Sequence, residues 1–210
     1  MRPDATRYSL TRGWPLVSVA GSALILMVLA LLAGFGTDEL GIRQVIRATA
    51  RTSFVLFMLA FVASAVRRAW PNGVTAWLLA NRRYVGVSFA ISHVLHLLAI
   101  LALYDWSVRR FAVEAGAAAI LLGGLGYAFV FAMAATSFDR TAAWLGPRRW
   151  RRLHTAGAYY LWTIFTISYV PRAVMESPAY APFAVVALAT LALRIAYRPR
   201  RAARPTLAAA

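Results

Sequence analysis

Apolar residues run through this chain in long uninterrupted stretches, separated by short segments that carry arginine. Six stretches stand out: Trp14–Phe35, Ala48–Val66, Tyr84–Tyr104, Ala115–Thr136, Leu153–Val170 and Pro182–Tyr197. A helix rises 1.5 Å per residue, so about 20 residues cross a hydrocarbon core near 30 Å thick. In lipid the backbone must satisfy its own hydrogen bonds, which selects helices for such runs. The pattern therefore predicts an all-α polytopic membrane protein, a six-helix transmembrane bundle. Between the spans, Pro71-Asn72-Gly73 marks a turn, and VTAWLLA after it predicts a short interfacial helix. The segment GTDELGIRQVIRATARTS reads as a turn followed by an amphipathic approach to the second span. A basic N-terminal segment, 1–13, and a basic, proline-punctuated tail, 198–210, flank the predicted transmembrane domain, 14–197.

Composition agrees. Hydrophobic residues make up 61% of the 210, and charged residues only 14%, against roughly 25% in soluble proteins. A net charge of +16 would suggest nucleic acid as a partner in a soluble protein, but its distribution argues against that. All 23 basic residues are arginine, and seventeen lie in the N-terminus, the loops after the second and fourth spans, and the tail. The opposite loops hold six arginines and five of the seven acidic residues. Positive loops stay cytoplasmic, so both termini are expected inside, and the lipid bilayer is the partner the charge pattern implies. Arg2, Arg7 and Arg12 before an apolar run imitate a signal peptide, but the run is too long and further spans follow.

Several chemistries find no support. There is no cysteine, hence no disulfide, thiolate nucleophile or cysteine-held iron–sulfur cluster. Gly123-Gly124-Leu125-Gly126 lies inside an apolar helix rather than at a strand-to-helix turn, so it reads as close helix packing, not a nucleotide loop. No nucleophile–base pair or carboxylate pair suggests hydrolysis. No acidic residue lies deep in a span, as transporter sites commonly require.

The three histidines carry the candidate chemistry. An ionisable side chain within a membrane segment is costly and points to function, and imidazole is an axial ligand of haem iron. His93 and His96 are three apart and share a face of the third span. His154 stands at the lip of the fifth, behind Arg151 and Arg152, and the two spans run parallel. The plainer alternatives are an interfacial role for His154 and interhelical hydrogen bonding for His93.

Several short motifs recur in one known family. They are Arg51-Thr52 opening the second span, Arg82-Arg83 with Gly86 and Leu95-His96 in the third, and Thr136-Ser137 ending the fourth. Trp144-Leu145-Gly146, Arg152-Leu153-His154 and Leu191-Ala192-Leu193-Arg194 follow. Across residues 45–197 the chain resembles the ferric-reductase-like transmembrane domain superfamily, most closely the haem-binding membrane subunits of bacterial periplasmic methionine sulfoxide reductase systems. The resemblance implies haem b between the third and fifth spans, in the bacterial inner membrane. It implies electron transfer from a cytosolic flavin reductase or the quinone pool to an extracytoplasmic redox protein or ferric complex. Flavin would enter only through a partner or weakly at the cytoplasmic face. By resemblance His96 and His154 are iron ligands, not necessarily of one iron, and His93 lies beside them. Arg82 and Arg83 would meet haem propionates or a flavin phosphate, unless they serve topology alone.

One departure bears on this. Relatives carry a second histidine thirteen residues along the fifth span, where this chain has Ile167. On upright helices His96 and His154 differ in depth by roughly 16 Å, whereas two ligands of one iron lie about 4 Å apart. Three arrangements stay open. His96 binds iron with an open opposite face or Tyr169; His154 binds a second haem with a non-histidine partner; or the chain is a cofactor-free scaffold or accessory subunit that keeps the fold.

Overall fold

The structure, a computed structural model, describes residues 10–198. Most of the two predicted flanking segments, with Arg2, Arg7, Arg200, Arg201 and Arg204, lies outside the described residues. Seven α-helices follow one another among the described residues: α1 (Gly13–Phe35), α2 (Glu39–Ala69), α3 (Gly73–Leu103), α4 (Val108–Ala135), α5 (Asp139–Leu145), α6 (Pro147–Met175) and α7 (Ala181–Ala196). A 3₁₀ turn, Pro178–Tyr180, leads into α7.

Local chemistry sets the helix starts. The Asp38 carboxylate accepts from the Gly41 amide at 3.1 Å and caps α2. Asn72 and Thr75 exchange bonds in a capping box at α3, satisfying backbone amides that the first turn leaves free. Gly146, at φ 77°, supplies the left-handed turn that ends α5, and Pro147 opens α6, where its missing N–H costs nothing.

Five helices are long and apolar enough to cross a bilayer: α1, α2, α3, α4, and α7 with its 3₁₀ turn. This is the composition of a multi-pass membrane protein. The fifth predicted span, Leu153–Val170, falls in α6, which at 29 residues has the length but not the same apolar character. Arginines occupy its first turns, and Tyr, Trp, Thr and Ser run along it. The reason is its position: Gly157, Ala158, Leu161, Phe165 and Tyr169 are buried against other helices, so packing rather than lipid sets its composition. The separate interfacial helix expected at VTAWLLA does not exist; those residues are the first turns of α3. The amphipathic approach is likewise continuous with α2. The extra short helix is α5, which the apolar pattern did not reveal.

Helix α2 is the centre of the bundle. It pairs along most of its length with α3 and also meets α1, α6 and α7, while α6 packs on α4 and α7. Phe54, Phe57, Met58 and Phe61 of α2 form the core with Phe89, Val130, Leu161, Phe165 and Tyr169. Large apolar residues on the outer faces, such as Leu26, Leu29, Leu121 and Val185, are exposed, as a lipid-facing surface requires. Helices α3 and α6 do not pack backbone to backbone. They face each other across a gap, and that gap holds the candidate site.

The charges separate to two ends. One end gathers Arg67, Arg68, Arg83, Arg140 and Arg148 onward with Arg194 and Arg198, tied by Arg68 to the Tyr197 carbonyl and Arg83 to Asp139. At the other end Arg43 pairs with Glu39, Arg110 with Asp105 and Glu114, and Arg172 with Glu176.

Gly157 is required where α6 crosses α4. A β-carbon there would stand 2.5 Å from Met133 Sδ and 3.0 Å from Phe129. Gly157→Val is therefore expected to cost roughly 1–3 kcal/mol by overpacking. Denaturant or thermal unfolding in detergent measures it, and an unchanged midpoint would mean that α4 moves aside freely.

Candidate functional site

A cavity of about 340 Å³ opens between α2, α3, α4 and α6 toward the arginine-rich end. Its floor and walls are apolar, including Phe57, Phe89, Val130 and Ala158. On the α3 side Gly86 and Ala90 are one turn apart, and a β-carbon on Gly86 would meet nothing within 4 Å. That leaves a smooth wall against which a flat ring system can lie. His154 of α6 and Met133 of α4 line the opposite side, and Arg82 and Arg83 stand at the mouth. The size falls within the roughly 300–1,000 Å³ of small-molecule sites.

Each of two histidines is held by a threonine. Thr136 Oγ1 donates its single proton to the Ala132 carbonyl at 2.7 Å, so its 3.0 Å contact with His154 Nε2 is one the imidazole donates. That assigns the proton to Nε2 and leaves the lone pair on Nδ1. The ring also stacks on Trp150, centroids 4.1 Å apart, and the Trp150 indole is fixed by the Thr136 carbonyl at 2.9 Å. For His96 the pattern is reversed. Thr49 Oγ1 donates to the Val45 carbonyl at 2.6 Å. His96 Nδ1 therefore donates to Thr49 Oγ1 at 3.1 Å and to the Ile46 carbonyl at 3.2 Å. Its Nε2 keeps the lone pair, the tautomer that outer hydrogen bonds impose on metal ligands.

The structure keeps these two rings apart. His96 is fastened to α2 beyond the cavity, while His154 lines it. Aromatic rings pack around His93: Phe165 lies 6.3 Å from Phe89 and 6.0 Å from His93, and Tyr127 stacks on His93 at 4.8 Å. His93 stands beside His96, centroids 5.5 Å apart, with its Nδ1 buried and unpartnered, as is the Tyr127 hydroxyl. Among the described residues, no group of three or more His, Cys, Asp or Glu side chains converges.

The arginines also divide. Arg83 pairs with Asp139 at 2.5 Å and lies 5.7 Å from the Trp14 and Tyr84 ring centres. Arg82 makes no hydrogen bond or ion pair with any described residue, and it lines both this cavity and a neighbouring one.

His96 and His154 make no contact with each other; of the two, only His154 lines the cavity, while His96 is fastened to α2. Tyr169, one turn beyond Phe165 on the same face of α6, is buried against Phe54, Phe183 and Tyr180. Ile167, at the position where the resemblance leads one to expect a histidine, is 51% exposed and faces outward. The cavity at the arginine-rich end gathers groups of the kinds that hold a haem. It offers an imidazole, a thioether, a flat apolar wall and cations at the mouth, which match an iron porphyrin with two carboxylates.

Sequence reasoning missed the buried polar seam that joins α2 to α3. Ser92 Oγ meets Thr52 and Ser53 hydroxyls at 2.9 Å, and the Thr49–His96 bond extends it. The signal was present as Thr49, Thr52 and Ser53 at helical spacing inside an apolar run. Comparison of this chain with protein-family models, with curated proteins and with solved structures finds no match.

Proposed function

We propose that this chain is an integral membrane electron-transfer subunit that holds haem b between α3 and α6 at the arginine-rich end. The observation that carries the reading is the cavity itself, in which an imidazole and a flat apolar wall lie beneath paired guanidiniums. Bound haem would supply a one-electron carrier. His154 would be its ligand, and Met133 is the other side chain of a haem-ligating kind in the cavity. Trp150 and Thr136 fix the His154 ring, and Arg82, free of protein partners among the described residues, would meet a propionate. The apolar walls exclude water, which tunes the potential of a buried redox centre. The resemblance to ferric-reductase-like membrane domains supports the same reading. It extends it to α6 as a sixth span, to both termini inside, and to placement in a bacterial inner membrane. It also brings a cytosolic flavin reductase or quinol as donor and an extracytoplasmic redox protein or ferric complex as acceptor.

A second reading, a cofactor-free scaffold, is favoured by the packing of Phe165 against Phe89 and His93 and by Ile167 facing outward. One measurement separates them. Protein expressed with abundant haem is purified and scanned oxidised, then after dithionite. The haem reading expects a Soret band and sharpened visible bands on reduction; colourless protein would establish the scaffold.

A further inference from the structure

Beside the first cavity lies a second one, about 390 Å³, at the same end of the bundle. The two share Arg82, Trp150, His154 and Ala158, but their walls differ. Arg68, Arg82, Arg151, Arg194 and Arg198 converge on the second from α2, α3, α6, α7 and the residues just after α7. No carboxylate among the described residues lines it, and the ion pairs among those residues all lie elsewhere.

Two of these guanidiniums are fixed by neutral groups. Arg68 Nε donates to the Tyr197 carbonyl at 2.5 Å. Arg194 donates to the Phe61 carbonyl, and its Cζ lies 4.1 Å from the Phe61 ring centre and 5.1 Å from that of Tyr159. Such bonds hold a guanidinium in place without neutralising it. Arg82, Arg151 and Arg198 have no side-chain hydrogen bond or ion pair with any described residue. Five positive charges are thus brought together, part of them preorganised, with no anion from the described chain to offset their mutual repulsion. Forked guanidiniums match the oxygens of a phosphate, and basic pockets between membrane helices at the cytoplasmic side take anionic headgroups.

We infer that this arginine-lined vestibule binds a phosphate group, either the diester of an anionic phospholipid headgroup or a free phosphate. Arg82 is shared with the proposed haem pocket, but Arg68, Arg151, Arg194 and Arg198 line this vestibule and not that pocket, so the test is independent of colour. The purified full chain is unfolded thermally in mixed micelles containing phosphatidylglycerol or, in parallel, phosphatidylcholine. Further arms contain inorganic phosphate or chloride at matched ionic strength. Ligand at about 100 times its Kd is expected to raise the midpoint by roughly 5–10 °C. A rise with phosphatidylglycerol alone identifies the lipid source. A rise with inorganic phosphate above chloride identifies the free phosphate. The double variant R151Q/R198Q removes two guanidiniums that brace no other described residue, and should lose most of the rise while keeping the unliganded midpoint. Equal midpoints in all four arms, or a full rise in the double variant, would overturn the inference.

Discussion

With haem in the cavity as proposed, replacing His154 with alanine is expected to lower bound haem per chain by about tenfold or more. That figure is conservative: losing even an outer hydrogen-bond partner of a metal ligand commonly costs about 10–100-fold in affinity. His154 is the one imidazole that lines the cavity, and no other described histidine reaches it. His96→Ala should leave the spectrum largely intact, because that ring is fastened to Thr49 and the Ile46 carbonyl and does not line the cavity. Haem content by pyridine haemochrome against protein concentration reads both variants. Added imidazole should restore the bands in His154→Ala, which separates ligand loss from misfolding. The opposite outcome, colour lost with His96 and kept without His154, would move the cofactor to the other half of the gap. Met133→Leu should shift the reduced bands or the potential if its sulfur meets the iron, and change neither if it only packs.

Phe54→Ala is expected to be the most damaging single truncation in the bundle, at about 3 kcal/mol. Phe54 is 2% exposed and meets Phe165, Tyr169 and Phe183 edge-on at 5.0–5.6 Å. It therefore ties α2 to α6 and to α7 at once. In soluble cores this truncation costs roughly 3–5 kcal/mol. The lower end applies here, because lipid is as apolar as the helix interior and only packing is lost, not transfer from water. Val55, its neighbour, is 49% exposed, and Val55→Ala should change stability by less than about 0.5 kcal/mol. Unfolding midpoints of the two variants in one detergent test the contrast. Similar losses at both positions would mean that α2 is not the packed centre.

The difference between those neighbours is legible in the chain itself. Helical periodicity of 3.6 residues places Phe54, Phe57, Met58 and Phe61 on one face of α2. The same arithmetic sets Ile167 about 220° around α6 from His154, while Leu161 and Phe165 return to the histidine's face. The outward turn of Ile167 is thus a matter of periodicity, and the structure agrees with it.

What the residues determined by themselves is the set of helices, the class of environment and the sorting of charge. Each of the six apolar runs falls on a helix, and the arginines gather at one end as their alternation in the loops requires. These follow from local causes: backbone hydrogen bonding, capping side chains and the cost of charge in lipid. Tertiary structure alone decided which groups meet. Arg68 finds a carbonyl 129 residues away, His96 a threonine 47 residues away, and Arg82 finds no partner among the described residues. Whether the gap between α3 and α6 is a cavity or a plug depends on helix rotation and tilt, which act through a few ångströms of side-chain reach. Sequence spacing fixes the face a residue occupies on its own helix; the neighbour opposite it is set by how all the helices pack together.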